Sequence, residues 1–148
     1  MPLLFLIMHC VYYQNKTGLK DDLHSSTPKP PNNMYFIQDK YKLQVAWLHN
    51  NMLISSQNDN VIAVILGHCV FSGNGKLIGK IFNDKFFLLN GKLIGVLRNT
   101  PISHQFDETK ILQEAWNILS KIKEHNCVWL NDSQLWDGSE FFEHFINQ

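Results

Sequence analysis

The sequence predicts an α+β fold, mainly antiparallel β-sheet with a C-terminal β-meander, together with one long and one short α-helix. The first support is a hexapeptide, Asn-Gly-Lys-Leu-Ile-Gly, which occurs at 74–79 and again at 90–95. Asn-Gly is the dipeptide that best fits a tight hairpin turn, and apolar residues alternate with lysines around both copies. The second support is a change to helical spacing of the apolar residues after residue 106. The 148 residues, 45% of them hydrophobic, suit a single domain, 1–148, with its own core.

The N-terminal segment predicts one buried strand followed by a long loop. Residues from Leu3 to Tyr13 form a continuous apolar run, which is typical of a strand covered on both faces. The run is too short to span a bilayer, and it has neither the basic start nor the cleavage site of a signal peptide. Residues 14–33 are polar and carry three prolines within four residues, so they predict a proline-rich loop.

The middle of the chain predicts a series of short strands separated by polar turns. Period-two alternation and turn residues place them at Met34–Gln38, Tyr41–Leu48 and Met52–Ser56. From Val61 to Phe71 the sequence is almost continuously apolar, which predicts one central strand.

Two-residue turns at Asn83-Asp84 and Asn90-Gly91 set the register of the meander. They pair Phe82 with Lys85 and Leu89 with Lys92, and they place Gly79 opposite Leu88 and Gly95 opposite Phe86. One face is then wholly apolar or glycine and is predicted to be the core: Gly79, Ile81, Phe86, Leu88, Leu93, Gly95 and Leu97. The other face mixes cations with apolar residues, which predicts that a helix or a partner covers part of it: Lys80, Phe82, Lys85, Phe87, Lys92, Ile94 and Arg98.

The C-terminal third predicts two helices. Asp107 fits an N-cap for a helix whose apolar stripe extends through Ile122 to about Glu124. A short strand is predicted from Cys127 to Leu130. Asp137 and Glu140 then resemble a capping box for a final short helix that contains Phe142, Phe145 and Ile146.

Charge and cysteine content limit the partners and the compartment. Thirteen Lys and Arg residues balance thirteen Asp and Glu residues, which argues against nucleic acid or a membrane surface as a partner. Cys10, Cys69 and Cys127 are far apart and odd in number, which is typical of free thiols in a reducing compartment and predicts a cytoplasmic protein. The glycosylation sequons at Asn15 and Asn131 are then coincidental.

The sequence contains no phosphate loop, dinucleotide fingerprint or metal-ligand spacing, so we expect neither a cofactor nor a metal. His-Cys occurs twice, at 9–10 and 68–69. A thiol beside an imidazole is a nucleophile and base combination, so one alternative is a hydrolase or transferase with Cys69 as nucleophile and His104 or His9 as base. A second alternative is single-stranded nucleic-acid binding through the face that carries Lys80, Lys85, Phe87 and Lys92.

Five segments resemble, in the same order, parts of the N-terminal glutaminase domain of asparagine synthetases, the class II glutamine amidotransferases. They are Leu66-Gly67-His68, Leu89-Asn90-Gly91, His104-Gln105-Phe106, Asp107-Glu108-Thr109 and the predicted helix from Ile111 to Ile122. The resemblance implies that Asn90 would help to form an oxyanion hole. The chain departs from the family, however, because Pro2 stands where the family has its mature N-terminal Cys nucleophile, and Cys69 replaces the arginine after Gly-His. The resemblance therefore implies a degenerate relative without catalytic activity.

We favour a small cytoplasmic, non-catalytic protein-binding module with an interaction or regulatory role, whose partner is another protein or a second copy of the chain. The half-apolar sheet face and the aromatic C-terminus indicate the binding surface, because aromatic side chains are common interface anchors. The predicted binding residues are Lys80, Lys85, Phe87, Lys92, Trp136 and Phe142.

Overall fold

Eight strands and two helices make up the computed structural model, which describes residues 34–123 and 129–146. The strands are β1 Met34–Gln38, β2 Gln44–His49, β3 Met52–Ser55, β4 Val61–Leu66, β5 Cys69–Ser72, β6 Leu77–Phe82, β7 Lys85–Leu88 and β8 Leu93–Thr100. The helices are α1 Glu108–Leu119 and α2 Glu143–Ile146. Each strand pairs antiparallel with the next one and β8 pairs with β1, so the sheet is a closed barrel.

Closure of the sheet makes the predicted fold class wrong. The first and last described strands are joined by the pairs Met34–Thr100 and Gln38–Val96, so the sheet is a barrel and the meander extends through all eight strands. The helix expected to be long has only 12 residues and ends at Leu119, and the second has four. The predicted strand from Leu3 to Tyr13 and the proline-rich loop at 14–33 lie outside the described residues.

The predicted central strand from Val61 to Phe71 is two strands, which is a second correction. Gly67 adopts a φ of 63° and turns the chain, so that β4 and β5 pair as a hairpin with Leu66 opposite Cys69. Period-two alternation is missing here because both faces are covered. Ala63 and Ile65 belong to one apolar cluster, while Val64 and Leu66 belong to another.

One of the two clusters fills the inside of the barrel. The other lies between the outer surface of the barrel wall and α1. Interior side chains come from cross-strand partners such as Ile37–Ala46 and Ile65–Val70. An eight-stranded barrel leaves room only for side chains or one small ligand, so the strand residues that contact α1 must face outwards. The outer cluster contains Trp47, Met52, Ile54, Val64, Leu66, Cys69 and Phe71, packed against Ile111, Ala115, Ile118, Leu119 and Ile122.

The register predicted for β6, β7 and β8 is confirmed at its glycines. Gly79 pairs with Leu88 and Gly95 pairs with Phe86. A Cβ atom added at Gly95 would overlap the Ile37 side chain, and one added at Gly79 would overlap the backbone of Phe87. Both positions therefore lack a side chain because the barrel leaves no space for one.

The Asn-Gly repeat forms turns of three residues instead of the predicted two. At both copies only the glycine has a positive φ, 82° at Gly75 and 85° at Gly91. The residues that flank each turn are joined by backbone hydrogen bonds, for example from the Leu88 N–H to the Lys92 carbonyl at 2.8 Å. This is a turn ending in a left-handed glycine and a bulge, so the predicted pair of Leu89 with Lys92 is not formed.

The turns with two positive φ angles lie elsewhere, at Asn50-Asn51 and Asn83-Asp84. The pair of Phe82 with Lys85 that the second turn predicts is confirmed. The Asp107 N-cap is also confirmed, because its side chain accepts a hydrogen bond from the Lys110 backbone N–H at 3.2 Å.

Gly91→Ala should lower the free energy of unfolding by more than the usual cost of placing a non-glycine residue in the left-handed conformation. An added Cβ would overlap the carbonyl oxygen of Asn131. Gly67 has a similar φ, but no atom lies within 4 Å of its added Cβ, so Gly67→Ala should cost about 1–2 kcal/mol and Gly91→Ala at least about 1 kcal/mol more. Gly138→Ala, where nothing lies within 4 Å and φ is not positive, should change stability by under about 0.5 kcal/mol. Urea titration of the three variants tests this, and equal losses at Gly67 and Gly91 would contradict the close approach of Asn131.

Candidate functional site

A segment without regular secondary structure, residues 129–140, lies against the barrel where β7 and β8 meet; we call it the C-terminal strap. The Ser133 N–H donates to the Gly91 carbonyl at 2.9 Å, and the Leu93 N–H donates to the Leu135 carbonyl at 2.8 Å. Leu93 and Trp136 also form a parallel β-bridge. The strap thus pairs with the first residues of β8. These residues precede Val96, where the pairing of β8 with β1 begins.

Side chains of the barrel hold the strap at two further places. Lys85 Nζ donates to the Gln134 side-chain oxygen. Lys40, in the turn between β1 and β2, donates to the Gly138 carbonyl at 2.8 Å. The strap then leads to Phe141, whose ring lies 6.2 Å from that of Phe86 in the barrel interior. The sequence predicted a helix or a partner as the cover of the half-apolar face. The segment that contacts Lys85 on that face is instead an irregular stretch of the same chain.

An open cleft of about 230 Å³ lies between the barrel and the beginning of the strap. Among the described residues, its lining is formed by His68, Lys80, Phe82, Trp129, Leu130 and Asp132. Phe82 forms a rigid wall because its ring stacks on that of the buried Phe87, with centroids 4.8 Å apart. His68 is held by its ring Nδ1, which lies 3.1 Å from the Ile81 carbonyl oxygen. Trp129 is 92% exposed although it lines this cleft, so its indole lies almost wholly in solvent.

Of the described residues that line the cleft, Lys80 is positively charged and Asp132 is negatively charged. Lys80 belongs to β6 and Asp132 to the strap, so they approach the cleft from two different elements. Within the residues that the structure describes, neither side chain takes part in a hydrogen bond or an ion pair. Both charges are therefore available to a molecule that binds there.

At the other end of the strap, the pKa of Asp137 is lowered. Burial by itself would raise it, but the hydrogen bonds from the backbone and side chain of Ser139 and the electrostatic interactions with His144 and Lys92 outweigh that effect. His144 Nε2 lies 3.2 Å from the carboxylate without the alignment of a hydrogen bond. This contact is consistent with a structural role in joining the strap to α2.

The structure places the six predicted binding residues in different environments. Phe87 is 1% exposed and cannot contact a ligand, which corrects its assignment to a binding surface. Lys85 is engaged with the strap and Phe142 packs against the interior cluster. Lys92 and Trp136 are exposed, while Lys80 lines the cleft. Of the six, only Lys80 lies in the cleft.

The proposed catalytic residues are not brought together among the described contacts. Cys69 is fully buried and disulfide-bonded, which corrects the expectation of free thiols and leaves it no thiolate to act as a nucleophile. Asn90 closes its own turn by accepting a hydrogen bond from the Lys92 N–H at 2.9 Å. His104 contacts Asp59 and stacks on Trp47. His9 lies outside the described residues.

Two histidine–carboxylate pairs were missed from the sequence. His104 Nε2 lies 3.0 Å from the Asp59 carboxylate, and His49 Nε2 lies 3.1 Å from that of Glu108. Both rings also contact Phe106, at centroid distances of 4.7 and 4.9 Å. The first pair joins the connection between β8 and α1 to the turn between β3 and β4, and the second joins the start of α1 to the end of β2, so we assign both a structural role.

Trp129 was also missed, because it lies in the predicted short strand from Cys127 to Leu130. The structure describes Trp129 and Leu130 as irregular, and the first two residues of that prediction lie outside the described part. The apolar character of this tetrapeptide was a usable signal, but four residues are too few to distinguish a strand from an exposed segment.

No protein-family model matches this chain, and comparisons with curated proteins and with solved structures found no similar protein. In residues 34–123 and 129–146, no three His, Cys, Asp or Glu side chains are placed to hold a metal ion. Within the same residues, no helix has the length and apolar character required to cross a membrane.

Proposed function

We propose that this chain is a small, non-catalytic protein-binding module whose binding surface is the cleft beside Trp129. The observation that carries the proposal is a tryptophan that is 92% exposed at the edge of a mainly apolar cleft. Tryptophan is among the residues most often found as an energetic anchor at interfaces. Covering about 200 Å² of aromatic surface is worth several kcal/mol, on the order of 25 cal/mol per Å².

The size of the cleft supports a protein partner over a cofactor. Sites for drug-sized molecules usually enclose about 300–1,000 Å³, whereas this cleft measures about 230 Å³ and is open. It has the size expected for one or two side chains of another protein. Such a ligand would also cover Trp129, which a molecule confined to the cleft would leave in water.

The two alternatives receive less support from the geometry. A thiol enzyme based on Cys69 would need that disulfide to be reduced and a buried sulfur to reach a substrate. Nucleic-acid binding by stacking would need an accessible Phe87 ring, but that ring is buried against Phe82.

The location of the protein bears on which partners it can meet. A cytoplasmic location was predicted from free thiols, but a disulfide at Cys69 is more typical of an oxidising compartment. We therefore base the binding proposal on the cleft alone, and it holds in either compartment.

Photo-crosslinking in the cells that make the protein tests this function. Trp129 is replaced by the photoreactive amino acid p-benzoylphenylalanine, which keeps an aromatic ring at the edge of the cleft. The expected result is a covalent adduct with a defined protein, lost when Phe82→Ala removes the cleft wall. The matched control places the same amino acid at Trp116, which is 37% exposed on α1. No protein adduct at position 129, or the same adducts at both positions, would contradict the proposal.

A further inference from the structure

We propose that the partner at this cleft is a second copy of the chain, in a two-fold dimer where Trp129 of each copy enters the cleft of the other. This inference rests on the proposed function and names its partner. A two-fold interface uses the same surface on both subunits, so that surface must be complementary to itself.

The shape of the surface meets this requirement. Trp129 is the projecting part, with 92% of its surface exposed, and the cleft that it borders is the receiving part. Phe82 and Leu130 supply apolar surface there for an indole. Projection and hollow are adjacent on one face, so a two-fold rotation can bring each one against the other.

The charges at the cleft meet the same requirement. Lys80 and Asp132 have opposite signs, and neither forms an ion pair within the described part of the chain. In a two-fold dimer, Lys80 of each copy faces Asp132 of the other, which gives two equivalent ion pairs. The chain as a whole has thirteen positive and thirteen negative residues, so two copies approach without net electrostatic repulsion.

The size of the cleft determines how strongly we expect the two copies to associate. Stable complexes usually bury about 800 Å² on each partner, and a cleft of about 230 Å³ around one tryptophan accounts for only part of that area. We therefore expect a reversible dimer whose population rises with concentration through the micromolar range.

Sedimentation velocity of the full chain over that range tests the dimer. The wild-type protein should shift from monomer to dimer, and Trp129→Ala should weaken association by at least about tenfold. Trp116→Ala is the matched control, since it removes a tryptophan from the exposed side of α1, and it should leave association unchanged. A wild-type chain that stays monomeric at hundreds of micromolar would overturn the proposal.

A charge exchange tests the two-fold geometry itself. Lys80→Glu and Asp132→Lys should each weaken self-association, because each places like charges opposite one another. An equimolar mixture of these two single variants should associate again, and so should the double variant, because opposite charges then face each other. If the mixture and the double variant both remain as weak as the single variants, the proposed pairing is wrong.

The results also separate the dimer from the broader binding function. If p-benzoylphenylalanine at position 129 captures a different protein while the chain sediments as a monomer, the binding function stands and the dimer is overturned. If it captures a second copy and the charge exchange restores association, both are supported. If there is neither an adduct nor self-association, both are overturned.

Discussion

Replacing Phe86 by alanine is expected to lower the free energy of unfolding by about 3–5 kcal/mol, the usual cost of truncating a fully buried phenylalanine. Phe86 is completely buried in the barrel interior, between Ile81 on β6 and Gly95 on β8. Gly95 has no side chain with which to fill the space that the ring would leave. A closed barrel also resists collapse around a cavity, because every strand is paired on both sides.

The ring of Phe86 also connects the barrel to the C-terminal end of the described chain. Its centroid lies 6.2 Å from that of Phe141 and 6.3 Å from that of Phe145. Losing the ring therefore removes aromatic contacts with two more residues, which places the expected cost in the upper part of the range.

Urea titration followed by circular dichroism measures the loss. Phe86→Leu serves as the milder variant, since it keeps part of the buried volume and should fold even if Phe86→Ala does not. Leu112→Ala, on the exposed side of α1, is the control and should change stability by less than about 0.5 kcal/mol. A loss below about 1 kcal/mol for Phe86→Ala would mean that the ring does not fill the barrel.

The positions of the strands were largely predictable, because they depend on local signals. Turn residues and period-two alternation located β1 at its observed bounds. The predicted pair of Phe86 with Gly95 is formed although the turn before β8 has three residues, because the bulge between Phe86 and Phe87 offsets the extra turn residue. Closure of the barrel was not predictable in this way. Met34 and Thr100 pair across most of the described chain, and neither strand has a pattern that distinguishes a closed sheet from an open edge.

The errors have equally local causes. The hairpin at Gly67 was concealed because α1 covers the outer faces of β4 and β5, so both faces are apolar and alternation disappears. At the candidate site, Lys80 was predicted from the alternating pattern of β6. Its neighbours Trp129 and Asp132 come from the irregular strap, and no periodic pattern indicates which strand such a segment will contact.

Reducing the disulfide at Cys69 is expected to destabilise the protein by about 4 kcal/mol. Cys69 is fully buried between the barrel wall and α1. The chain's other cysteines, Cys10 and Cys127, lie almost equally far from it along the sequence. Whichever of them is the partner, the closed loop has roughly 60 residues, and the loop-closure relation gives about 4 kcal/mol for that length.

Urea titrations with and without dithiothreitol measure this contribution, and Cys69→Ala should remove the difference between them. Cys10→Ala and Cys127→Ala then identify the partner, because only one of the two should also remove the dependence on reductant. Equal midpoints in both titrations, with three reactive thiols in the denatured, unreduced chain, would contradict the bond. A loss of about 4 kcal/mol is a large part of the 5–15 kcal/mol that stabilises most domains. A chain that depends on this bond would therefore be considerably less stable in a reducing cytoplasm than in an oxidising compartment.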